Sequence, residues 1–99
     1  METALKRLGA DLRTARLRRN ITLVEIAKRI GASREVIAEA EHGKPSTSIA
    51  IYAALLWSYG MVEQLGAIAD PTTDAEGLRL ASLRDRRHAR AARPLDDDF

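Results

Sequence analysis

The sequence contains no cysteine and only two histidines, and these absences exclude several kinds of site. Without cysteine there are no disulfides and no thiolate metal sites, and a reducing cytoplasm is the expected location. His42 and His88 lie far apart in the chain, and no nucleophile–base pair, phosphate-cradling glycine loop or metal-ligand spacing accompanies them. We therefore expect no enzyme activity, no catalytic residues, no cofactor and no metal.

Long apolar runs are also absent. No stretch approaches the roughly 18–20 apolar residues of a membrane span, and no signal peptide opens the chain, so a soluble cytoplasmic protein without a membrane partner is expected. The length of 99 residues and the hydrophobic fraction of 45% suit one compact core with a tail left over.

The charge is unevenly distributed, although the formal net charge is only +2. Residues 1–70 carry 10 Lys/Arg against 8 Asp/Glu, whereas residues 71–93 carry 6 Arg against 3 acids. The last six residues include three consecutive aspartates. The basic surplus suits a polyanionic partner but does not require one.

Apolar residues recur with helical spacing nearly throughout, and no stretch alternates with period two, so the prediction is an all-α fold. Start and stop residues divide this pattern into five helices. They are predicted over residues 5–19, 22–30, 34–42, 49–59 and 61–69.

Beyond residue 70 the helical signal is weaker. A second capping-box pattern, from Thr73 to Glu76, predicts a sixth helix from Asp74 towards Arg87. From His88 onward there is little apolar surface to bury, so a flexible and partly disordered tail is expected.

Residues 22–44 predict two short helices joined by a tight turn. Thr22 and Glu25 form a capping box, Gly31 ends the first helix, Ser33 caps the second, and Gly43 ends it. This is the pattern of a helix-turn-helix motif, in which the second helix is offered to the major groove of DNA.

A string of residues in this region matches a known family pattern. It comprises Leu12, Arg13, Arg16, Ile21, Thr22, Glu25, Ile26, Ala27, Ile30, Gly31, Ala32, Ser33, Arg34, Ile37, Glu41, Gly43 and Lys44. In these residues the chain resembles the Xre family, the Cro and phage-repressor type of domain. The resemblance covers roughly residues 5–69 and implies a five-helix Cro/phage-repressor-like domain that binds DNA.

The resemblance implies roles for seven residues. A structural, partly buried salt bridge is expected between Arg16 and Glu41, phosphate contacts from Ser33 and Lys44, and contacts to base edges from Arg34, Glu35 and Glu39. An arginine can bind O6 and N7 of guanine together, which is worth about 1–3 kcal/mol of discrimination between bases.

Some residues depart from the family pattern. Leu23 stands where the family usually places a phosphate-contacting glutamine, and Glu35 and Glu39 put acids on the recognition face. Such carboxylates disfavour a polyanion unless they accept hydrogen bonds from cytosine N4. The expectation is either a weak affinity per subunit or an unusually specific operator, and the alternative is a domain that has lost DNA binding.

The segment of residues 49–68 contains more apolar residues than one small core needs, which predicts a homodimer. We expect Trp57, Met61 and Leu65 to lie in the interface. A two-fold dimer would place two recognition helices one DNA turn apart on a palindromic operator. The alternative is that Trp57 belongs only to the core.

The chain resembles one group of this family in particular, the HipB-like antitoxins paired with HipA-like serine/threonine kinase toxins. The resemblance lies in residues 55–71 and in the arginine-rich stretch that follows them. This implies an autorepressor of a type II toxin–antitoxin module that also binds the kinase. The residues predicted to bind that partner are Arg84, Arg87, Leu95 and Phe99.

The predicted organisation is a helix-turn-helix and dimerisation domain over residues 1–70 and an arginine-rich extension over residues 71–99. Two other functions remain open. One is a free-standing repressor without a toxin, and the other is a protein-interaction module that inhibits a partner with little DNA binding. The extension itself could be a solvated tail or could contact DNA phosphates.

Overall fold

The computed structural model of the chain describes residues 2–92, with side chains to residue 90. Over this range there are six α-helices and one 3-10 helix, and no strand. They are α1 (Glu2–Arg18), α2 (Leu23–Ile30), α3 (Arg34–Glu41), α4 (Ile49–Ser58), α5 (Glu63–Gly66), the 3-10 helix (Pro71–Thr73) and α6 (Ala75–Ala92). The predicted all-α fold is confirmed.

The predicted capping residues act at the starts of α2, α3 and α4. Thr22 Oγ1 accepts a hydrogen bond from the Glu25 amide at 3.1 Å, and the Thr22 amide donates to Glu25 Oε1 at 2.9 Å. These hydrogen bonds hold the pKa of Glu25 below its ordinary value. Ser33 and Ser48 cap α3 and α4 through their hydroxyl oxygens. Gly31 ends α2 in the left-handed conformation, with φ of 74°.

The fifth helix is shorter than the prediction of residues 61–69. It has only the four residues Glu63–Gly66. Gly66 has low helix propensity, and Ala69 adopts a left-handed φ of 59°, which is incompatible with a continuing helix.

The sixth helix differs from its prediction at both ends. Its N-terminal cap is Asp74, whose Oδ1 accepts from the Gly77 amide at 2.9 Å, whereas Thr73 belongs to the preceding 3-10 helix. The helix continues to Ala92, so the prediction of disorder from His88 is wrong for residues 88–92. Alanine and arginine, which dominate this last stretch, are strong helix formers. Leu95 and Phe99 lie outside the described residues.

The chain divides into two compact units, Met1–Leu65 and Gly66–Phe99, and this boundary precedes the predicted one after residue 70. In the first unit, α1 packs against α3, α2 packs against α3 and α4, and α3 packs against α4. Each of these four helices contributes one of the largest fully buried side chains of the core. They are Leu12, Ile26, Ile37 and Leu55. Within residues 2–92, no helix combines the length and apolar character that crossing a bilayer requires.

A buried ion pair joins α1 to α3. Arg16 Nε lies 2.8 Å from Glu41 Oε2, and Arg16 Nη2 donates to Glu41 Oε1 at 3.1 Å. Arg16 Nη1 also donates to the Ile21 carbonyl oxygen at 2.9 Å, which fixes the loop between α1 and α2. The hydrogen bonds to Glu41 raise the pKa of Arg16 above its ordinary value. The predicted salt bridge is confirmed, with residue exposures of 6% and 8%.

Two glycines allow α1 to contact the end of α3 through backbone atoms. A Cβ atom on Gly9 would lie 2.5 Å from the carbonyl oxygen of Ala40. A Cβ atom on Gly43, just after α3, would lie 2.6 Å from the amide nitrogen of Lys6. Neither contact leaves room for a side chain, so packing requires both glycines, and Gly43 is also required by the left-handed turn after α3.

We predict that Gly43→Ala destabilises the first unit more than Gly31→Ala does. The two glycines have nearly the same φ, 75° and 74°. A left-handed alanine costs roughly 1–2 kcal/mol at either position. Only at Gly43 would the new methyl group also collide with the backbone of α1, because nothing lies within 4 Å of a Cβ on Gly31. Urea denaturation followed by circular dichroism, at one protein concentration, measures both losses, and equal losses would contradict the close contact.

Candidate nucleic-acid interface

One side of the helix α3 is buried in the core and the other side is exposed to solvent. Ile37, Ala40 and Glu41 are buried and hold one side of the helix against the rest of the first unit. Arg34 and Glu35 in the first turn are exposed, as is Glu39 one turn later. The three predicted base-reading side chains are therefore available to solvent.

The hydroxyl group of Ser33 caps α3 as a hydrogen-bond acceptor, and its own proton is not used by the cap. Its Oγ accepts a hydrogen bond from the Val36 amide at 3.2 Å. Because a hydroxyl can accept and donate at once, the Ser33 proton is still available for an anionic oxygen in front of the helix. The predicted phosphate contact at Ser33 is compatible with its capping role.

Acidic neighbours accompany both cations of this surface. Arg34 Nε lies 3.8 Å from Glu35 Oε2, and Lys44 Nζ lies 3.0 Å from Glu39 Oε2. Both pairs are solvent-exposed, so each contributes little to stability and its partners can exchange. The surface of α3 thus carries charges of both signs in neutralised pairs.

The pair between Glu39 and Lys44 was not predicted from the sequence. A separation of five residues does not match the helical spacings of three and four that bring side chains together. The left-handed turn at Gly43 brings the chain back, so that the Lys44 amide donates to the Glu39 carbonyl oxygen at 3.1 Å. The glycine after the helix was the only signal for this geometry.

Leu23, one of the positions at which the sequence departs from the pattern of the family that it resembles, has a structural role. Its side chain is partly buried and packs against the core, whereas the neighbouring Val24 is exposed. Leu17, Val24 and Arg34 are among the residues that line a surface depression of about 430 Å³. Apolar side chains therefore lie beside Arg34 on this surface.

The exposed apolar face of α4 is made of Ile49 and Trp57, which are 69% and 67% exposed. Ala53 lies between them on the same face, four residues from each. Of the three predicted interface residues, only Trp57 is exposed, because Met61 and Leu65 pack against the core of their own chain. Ile49 was not among the predicted interface residues.

Arg19 was also missed by the sequence analysis as a structural residue. Its guanidinium group donates to the carbonyl oxygens of Ala15 and Tyr59, both at 3.0 Å, and lies 5.5 Å from the centre of the Tyr59 ring. Burial raises the pKa of the Tyr59 hydroxyl above its ordinary value. Arg19 therefore fixes the end of α4 against α1.

The second unit carries two of the predicted partner-binding residues. Arg84 and Arg87 are exposed on α6. Arg84 lines a shallow surface groove together with Gly77, Leu80 and Ala81. Arg84 and Arg87 are three residues apart on α6, so their side chains lie about 60° apart around the helix and are neighbours on one side of it.

No group of three or more His, Cys, Asp or Glu side chains in the described part of the chain is placed to hold a metal ion. Comparisons with protein-family models, curated proteins and solved structures find no match to this chain.

The buried and the exposed ion pair predict losses of stability of different size when the cation is removed. We expect Arg16→Met to lower the free energy of unfolding by about 3–5 kcal/mol, because Glu41 would remain buried without its partner. The matched variant Lys44→Met should cost less than about 1 kcal/mol, because Glu39 is left in water. Urea denaturation of both variants at the same protein concentration tests this. Losses of similar size would mean that the two pairs do not differ in environment as described.

Proposed function

We propose that this protein is a cytoplasmic, sequence-specific DNA-binding repressor that acts as a homodimer. The observation that supports this most is α3, a capped helix that follows a tight turn and presents Arg34 to solvent in its first turn. Its opposite side is fixed by the buried pair between Arg16 and Glu41. A rigid exposed helix of this kind suits the major groove of DNA.

Each exposed side chain of α3 has a proposed task at the groove. Arg34 donates to O6 and N7 of a guanine, and Glu35 and Glu39 accept hydrogen bonds from cytosine N4. Ser33 and Lys44 contact phosphates. Lys44 exchanges the Glu39 carboxylate for a phosphate oxygen, which frees Glu39 for a base edge.

The homodimer is proposed through the exposed face of α4. Every residue of α4 except Ser58 is apolar, and a helix that is apolar all round is normally buried all round. One side of α4 meets the core through Tyr52 and Leu55, whereas Ile49 and Trp57 have no cover within the described chain. A second copy related by two-fold symmetry would cover this face with the same face of its own α4.

The resemblance to HipB-like antitoxins extends the proposal to a protein partner, a HipA-like kinase toxin encoded with the repressor. The groove beside Arg84 on α6 and the apolar residues Leu78 and Leu80, both more than half exposed, are the described surfaces proposed for it. A free-standing repressor without a toxin would have the same DNA-binding helix and the same dimer interface. Only a neighbouring kinase-like reading frame and a binding measurement distinguish the two.

A protein-interaction module with little DNA binding is the second candidate. The observation that favours it is the neutralisation of Arg34 and Lys44 by acidic neighbours on the same surface. Such a module would show no salt-dependent binding to duplex DNA.

The DNA-binding proposal predicts different effects for Arg34→Ala and Lys44→Ala. With a duplex that the protein selects from a random library, Arg34→Ala should weaken binding by about 1–3 kcal/mol and relax the base preference at one position per half-site. Lys44→Ala should weaken binding to all sequences and reduce the slope of log affinity against log salt by about one. Fluorescence anisotropy over a salt series measures both.

Unchanged affinity in Arg34→Ala, at matched salt, would reject the base-reading assignment. Failure of the parent protein to enrich any duplex from the library would reject the proposed function and favour the protein-interaction module.

The dimer proposal predicts that Trp57→Lys yields a folded monomer. A charge in the centre of an apolar interface disfavours association, and the exposed position means that the core is not disturbed. The matched control is Leu17→Lys, which adds the same charge to an exposed leucine on α1. Sedimentation at micromolar concentration should give a dimer for the parent and the control. A monomeric parent protein would contradict the proposal.

A further inference from the structure

The helix α6 carries an excess of exposed arginine, of which the proposed function uses only Arg84. It has 18 residues, which corresponds to a length of about 27 Å. Its side chains include five arginines against two acids, and all seven are exposed. These residues are Arg79, Arg84, Arg86, Arg87 and Arg90, with Glu76 and Asp85.

Three of these arginines share one face. Arg79, Arg86 and Arg90 are separated by seven and four residues, spacings that bring side chains to the same side of an α-helix. We name this set the arginine face. Arg84 lies away from it, in the groove with Leu80, and Arg87 lies between the two, three residues from Arg84 and three from Arg90.

The cations of this face differ in how they are neutralised. Arg79 forms an ion pair with Glu76 one turn earlier. Among the described residues, no ion pair is formed by Arg86 or Arg90, and the two positions are about 6 Å apart along the helix axis.

The ligand that fits such a face is a polyanion with closely spaced charges. Guanidinium groups bind phosphate oxygens through two parallel hydrogen bonds, and duplex DNA offers one charge per about 1.7 Å of axis. The centre of a protein interface is usually more apolar than its rim, and the leucine within this face, Leu83, is half-buried in its own chain. Charge complementarity therefore favours DNA over an acidic protein.

We propose that the arginine face of α6 binds the phosphate backbone of duplex DNA and adds a sequence-independent part to the affinity. This inference rests on the proposed function, since DNA is then the polyanion that the chain encounters. Arg86 and Arg90 supply the contacts, and Arg79 contributes less because Glu76 already neutralises it. The base preference remains with α3.

The experiment compares charge removal on and off the arginine face in the full chain. The variants are Arg86→Gln, Arg90→Gln and their double variant, and the matched control is Arg84→Gln, which removes the same charge from the same helix. The probe is a random-sequence duplex of about 30 base pairs, followed by fluorescence anisotropy over a salt series. Far-ultraviolet circular dichroism verifies that α6 is retained.

The double variant should reduce the slope of log affinity against log salt by about two per protomer and weaken binding at 0.1 M salt by about tenfold or more. Each single variant should reduce the slope by about one. Arg84→Gln should change the slope by clearly less. An unchanged slope in the double variant, or an equal effect of Arg84→Gln, would overturn the inference.

The outcomes also separate this inference from the proposed function. If the parent protein prefers a selected duplex through Arg34 and the α6 variants bind as the parent does, only the inference fails. If the α6 variants lose binding to the random duplex but the parent protein prefers no sequence, phosphate binding by the arginine face is supported. The proposed base-reading function then fails.

Discussion

The buried ion pair between Arg16 and Glu41 is the interaction on which the arrangement of the first unit depends. Removing two charges from water is costly, so the pair is tolerated only because each guanidinium nitrogen has an acceptor, two on Glu41 and one at the Ile21 carbonyl. An apolar contact of the same size would place no directional requirement on α1 and α3. This pair has one geometry, and it specifies the orientation of α3.

The orientation of α3 determines which of its side chains are buried and which are exposed. The side held by the ion pair and by Ile37 is fixed, whereas Arg34 and Glu39 project from the other side with exchangeable partners. A surface of exchangeable pairs on a rigid base is suited to recognition, because a ligand replaces one charged partner by another without moving the backbone. On α6, Arg79 has an acidic partner, whereas Arg86 and Arg90 form no ion pair with another residue of the described chain.

The parts of the fold that are encoded locally could be predicted from the sequence. The capping box at Thr22 and the stop at Gly31 depend on neighbouring residues, and both were found. The ion pair of Arg16 was implied only by family resemblance. The pairing of Lys44 with Glu39 and the inward packing of Leu23 depend on how the chain returns after a turn and on tertiary contacts, and no spacing in the sequence indicates them.

The backbone contact of Gly9 and Gly43 with their neighbours has a consequence for how the sequence can diverge. The atoms that meet at these glycines are main-chain atoms of Ala40 and Lys6, which every amino acid possesses. Substitution of Lys6 therefore leaves the contact intact, whereas substitution of either glycine destroys it. The exposed side chains of α1 can therefore change in evolution without displacing α3. Gly9 and Gly43 cannot be replaced without losing this contact.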